Sequence, residues 1–115
     1  MAGKISVIGD VGVSATLGAG ARGADVIVAA AGSDVAAAAR LAPAAVLVLV
    51  DASADQVAAA LSATLWPRQR VVGVAAADAE RAVRAVAEGA PVALRATLRD
   101  GSHDVVIGPG GVRLA

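Results

Sequence analysis

The chain has 115 residues, 57% of them hydrophobic, with ten basic residues against ten acidic, one histidine and no cysteine. That length suits one domain, residues 1–115, built on one core, and so apolar a composition excludes a disordered chain. A net charge of zero supplies neither the basic footprint of a nucleic-acid binder nor a membrane-surface patch, so no nucleic acid and no membrane is expected among its partners.

The elements follow in chain order. Lys4 to Gly9 is a short β-branched run that ends in glycine, and it predicts a first strand. A helix is predicted over about Gly12 to Arg22. Asp25 to Ala31 predicts a second strand, and Asp34 to Ala42 a second helix that Pro43 stops. Ala45 to Val50 predicts a third strand. Ser53 is a candidate N-cap for a third helix, with Val57, Leu61 and Leu65 on one face and Pro67 as its stop. Arg70 to Val74 predicts a fourth strand, and Asp78 to Glu88 a fourth helix ending at Gly89. The four strand runs are apolar on nearly every residue, as strands buried on both faces of a parallel sheet are. The pattern then changes. Pro91 to Arg99 alternates, Asp100-Gly101 punctuates, and Asp104 to Ile107 is apolar again, which predicts an antiparallel hairpin with one polar side. The tail after Gly108-Pro109-Gly110-Gly111 is a candidate for one last short strand. The order argues for an α/β fold of four mainly parallel strands plus a C-terminal antiparallel hairpin.

Three features bear on location. The longest clean apolar run, Ala44 to Val50, is far too short to span a bilayer. Asp10 and repeated glycines interrupt the N-terminal stretch, so no export signal is expected, and the absence of cysteine fits the cytoplasm.

His103, in Gly101-Ser102-His103-Asp104, is the leading candidate for acid–base chemistry. A lone histidine in a glycine-rich turn is also a common solvated loop residue. Gly9-Asp10-Val11-Gly12 joins the first strand to a helix, where a Rossmann protein holds a pyrophosphate, although the spacing is G-x-x-G rather than G-x-G-x-x-G. Asp51 closes the third strand, where ligands often meet an α/β sheet. It could equally cap the helix that follows. Asp78 and Arg81 are three residues apart and share a helix face, either as a solvated pair or as partners of the histidine.

From Gly23 onward the order of segments resembles the lactate/malate dehydrogenase family. Gly23 to Gly32 is similar to the family's strand ending in "TAG", and Ala44 to Ala52 to its strand ending in Asn-Pro. Pro67 to Gly73 resembles "PxxRVIG", Asp78 to Arg81 resembles "LDxxR", and Gly101 to Asp104 resembles "GxHGD". The resemblance implies a small Rossmann-like fold of two or three layers. In it His103 would exchange a proton with the substrate, Asp78 would orient His103, and Arg81 would grip a substrate carboxylate. Asp51 would stand at the substrate side. Gly9, Asp10, Gly12 and Gly32 would line a site for NAD. The chain departs from the family at several points. It has no room for two further adenosine-side strands, Asp51-Ala52 stands for Asn-Pro, and the glycine after the histidine is absent.

The retained strands, if they keep their family neighbours, lie in sequential order. Every helix then falls on one sheet face, and the bare apolar face calls for a homodimer or a hetero-oligomer. An order of 2-1-3-4 would avoid this. Three functions are therefore expected in competition. One is a truncated dehydrogenase-like protein that binds a small carboxylate metabolite. Another is a non-catalytic assembly module. The third is an acid–base enzyme that needs no nicotinamide.

Overall fold

The structure is a computed structural model that describes residues 5–8, 25–30, 45–64, 70–109 and 111–115. These form seven strands and two helices. The strands are β1 (Ile5–Ile8), β2 (Val26–Ala30), β3 (Val46–Val50), β4 (Val71–Val74), β5 (Val92–Leu98), β6 (Gly101–Gly108) and β7 (Gly111–Leu114). The helices are α1 (Ala54–Thr64) and α2 (Ala76–Glu88). All seven strands join one mixed sheet in sequential order. β1 to β4 are parallel, and β4 to β7 are antiparallel. The expected hairpin is thus a three-stranded meander, because the tail pairs with β6 as β7. The helices expected near 12–22 and 34–42 lie outside the described residues.

β2, β3 and β4 are buried on both faces. Val26, Val28, Val46, Val48 and Val72 point to one side, into a core shared with α2 and the meander. Ile27, Leu47, Leu49 and Val71 point to the other side, where α1 contributes Val57 and Ala60. Burying one such side chain stabilises the fold by about 1.5–3 kcal/mol, so these strands specify the sheet. The two helices therefore cover opposite faces, giving three layers. This corrects the expectation that every helix lies on one face. The handedness rule governs crossovers between parallel strands, which α1 makes between β3 and β4. α2 links β4 to an antiparallel neighbour and is free to take the other face. The bare face is corrected with it, since Val26, Val28, Val46 and Val48, on the side away from α1, are buried within one chain.

Local signals set the helix limits. Ser53 and Gln56 form a reciprocal capping box: the Gln56 N–H donates to Ser53 Oγ at 3.2 Å, and the Ser53 N–H to Gln56 Oε1 at 2.9 Å. α2 stops at Gly89, whose φ of 73° is open to glycine, while the Ala90 N–H returns to the Ala85 carbonyl at 3.1 Å. Gly73 lets β4 approach α1 closely, since a Cβ there would meet the Ala52 carbonyl and Val57 Cγ2 at 3.2 Å. Among the described residues no helix is long and apolar enough to cross a membrane.

Candidate functional site

At the carboxyl ends of the parallel strands, Asp51 follows β3 and its N–H donates to the Val74 carbonyl at 2.7 Å. Its carboxylate accepts the Ala76 N–H at 3.0 Å, across 25 positions of sequence. Ala75 precedes α2 without a side-chain cap, so Asp51 supplies one from the neighbouring strand. The helix that Asp51 caps is therefore α2, while Ser53 caps α1. Asp78 lies in the first turn of α2, where the helix dipole favours an acid, and it holds the Arg81 guanidinium in an ion pair.

The histidine belongs to a different end of the sheet. Thr97 stands opposite Gly73, so the chain running on through Leu98 and Arg99 heads toward Val71, the amino end of β4. It turns there in the two residues Arg99-Asp100, closed by the pair Leu98 and Gly101. His103 comes back on β6 opposite Ala96, and its Nε2 lies 2.9 Å from Asp100 Oδ1. That hydrogen bond holds the Asp100 carboxyl below its ordinary pKa.

Beside this pair is a cavity of about 300 Å³, lined by His103, Asp100, Arg99 and Arg113, and by apolar side chains from α1, β4 and the meander. Among the described residues neither arginine has a carboxylate within ion-pair distance. β7 also comes back into contact with β4, so the meander curls around this end. The arrangement offers two guanidinium forks, one imidazole braced by a carboxylate, and an apolar wall. It can bind an anion bidentately and exchange a proton with it. Among the described residues no group of three or more histidine, cysteine or acidic residues is placed to hold a metal ion.

The expected triad is not assembled as the resemblance implied. The carboxylate partner of His103 is Asp100, not Asp78, and Asp78 is engaged with Arg81. Neither Asp78 nor Arg81 lines the His103 cavity. The reason is the meander: its register carries the hairpin turn to the amino end of β4, while α2 starts at the carboxyl end. Gly9, Asp10, Gly12 and Gly32 lie outside the described residues. β1 runs parallel to β2 and β3, so its carboxyl end is at the same edge of the sheet as Asp51. Sequence reasoning missed Arg99, Asp100 and Arg113. A two-residue turn between alternating runs was the available signal, because it sets an acid and a histidine three apart at one hairpin end.

Comparison with protein-family models, with curated proteins and with solved structures finds no match. The resemblance to lactate/malate dehydrogenases rests on its short strings alone.

Proposed function

We propose that this chain is a binding domain for a small carboxylate metabolite, seated in the His103 cavity. In this reading Arg99 and Arg113 grip the carboxylate and His103 is the group that exchanges a proton with the ligand. The observation that carries it is the convergence of two arginines, both without a carboxylate partner among the described residues, on a cavity that also holds the His103–Asp100 pair. Each charge-assisted hydrogen bond contributes about 1.5–3 kcal/mol, so a two-armed grip supports micromolar to millimolar binding. With Nε2 on Asp100, Nδ1 is the ring nitrogen left for a ligand.

The reading keeps the carboxylate of the dehydrogenase resemblance but moves it from Arg81 to the hairpin, and it routes no step through NAD. In fold terms it treats β1 to β4 with α1 as a Rossmann-like half to which a meander has been added. An assembly module loses its main support, because both faces of β2 and β3 are buried within one chain.

Calorimetry with 2-hydroxypropanoate and 2-oxopropanoate, with and without NADH, tests the proposal. Binding should weaken tenfold or more in Arg99→Ala/Arg113→Ala and be indifferent to NADH. Binding that survives the double substitution but is lost in Arg81→Ala would overturn it.

A further inference from the structure

Beside its two arginines the cavity has an apolar wall. Six of its lining residues are Val57, Leu61, Val71, Leu98, Val112 and Leu114. They come from α1, β4, β5 and β7, and Val57, Val71 and Val112 among them are buried in the core. Leu61 and Leu98 are only partly buried, and Leu114 is 63% exposed, the one exposed large hydrophobic among the described residues. Leucine surface left open beside two arginines is matched by a ligand with one anionic end and one aliphatic end.

We infer that the ligand is an amphipathic carboxylate, its head between Arg99 and Arg113 and an aliphatic tail along Leu61, Leu98 and Leu114. This rests on the carboxylate reading above and deepens it. Charge decides the head group: Arg99 and Arg113 outnumber Asp100 at the cavity, and His103 adds a further positive charge when protonated. Those charges favour a carboxylate over an amine or a neutral alcohol. The size of the cavity, about 300 Å³, favours a free acid over a folded protein segment.

The test is calorimetric titration of the full chain with butanoate, hexanoate and octanoate below their micellar concentrations, with octanol as the uncharged control. Sedimentation velocity runs in parallel. Affinity should rise about fourfold for each added methylene. Octanol should bind at least tenfold more weakly than octanoate. Leu114→Ser, at an exposed position that leaves the core intact, and Leu61→Ser should both flatten the chain-length dependence. Butanoate binding as tightly as octanoate would overturn the tail and leave the carboxylate reading standing. Octanol binding as tightly as octanoate would overturn the carboxylate reading itself. A dimer that Leu114→Ser dissolves and octanoate does not would mean a second copy fills the cavity, and the inference would fall.

Discussion

Asp51 sets two opposed effects on one residue. Its φ of 56° is in the left-handed region. An ordinary L side chain pays about 1–2 kcal/mol there, and aspartate or asparagine less. Its carboxylate also accepts the Ala76 N–H at 3.0 Å, a cap that contributes about 1 kcal/mol. Three substitutions separate the terms. Asp51→Ala removes the cap and puts a less tolerant side chain on the same backbone, so it should cost about 1.5–2 kcal/mol. Asp51→Gly removes the cap but frees φ, so it should stay within about 0.5 kcal/mol of the parent. Asp51→Asn keeps an acceptor and a tolerant backbone and loses only the charge at the helix dipole, about 0.3–1 kcal/mol. Equilibrium urea unfolding, with m held constant across the set, reads all three. The decisive comparison is alanine against glycine. If the alanine variant is as stable as the glycine variant, the left-handed backbone costs nothing here and the reasoning is wrong. If all three match the parent, Asp51 does not cap α2.

Other expectations follow from the same packing. Gly73→Ala places a Cβ at 3.2 Å from the Ala52 carbonyl and Val57 Cγ2, and should destabilise the fold by about 1–3 kcal/mol, seen as a lower urea midpoint. Ser53→Ala takes away the acceptor of the Gln56 N–H and should cost about 1 kcal/mol in the same assay. Asp100 carries a pH dependence whose sign is fixed by its lowered pKa. The stabilisation is complete above aspartate's unfolded value and is lost as pH falls through the lower folded value. Carboxyl carbon shifts should show Asp100 titrating below an ordinary aspartate. His103→Ala should return it upward, and an unchanged titration in that variant would remove the pair.

The parallel strands were legible because their composition is unambiguous. Val26 to Ala30 and Val46 to Val50 hold no polar residue, and only a strand buried on both faces tolerates that over so short a span. Ser53 announced α1 by its own side chain. The start of α2 was harder to read, and lies two residues before the expected Asp78, because its cap comes from Asp51, far away in sequence. The site failed to read for a related reason. Asp78, Arg81 and His103 stand in the order of a known family, but order in sequence does not state which end of the sheet each residue reaches. That depends on the register of β5 against β4, held by Gly73 opposite Thr97, and no residue pattern in either strand declares it.

The cavity lies where one kind of sheet gives way to another. A parallel neighbour arrives with a crossover that lays a helix on the sheet, as α1 does between β3 and β4. The antiparallel β5 still arrives through α2, but β6 follows it by a two-residue turn that brings no helix, so the meander leaves one face to water. The residues of β5, β6 and β7 obey this: Arg95, Ser102, Asp104 and Arg113 are exposed, while Leu94, Val105, Ile107 and Val112 are buried. Register ties the two faces together, because a slip of one residue would turn the whole apolar set outward. The meander therefore cannot slide to cover the apolar surface beside α1. Leu61, Leu98 and Leu114 stay partly open at the seam, and the turn that must be polar places Arg99 and Asp100 beside them. A charged rim on an apolar cavity follows from the change of sheet type itself.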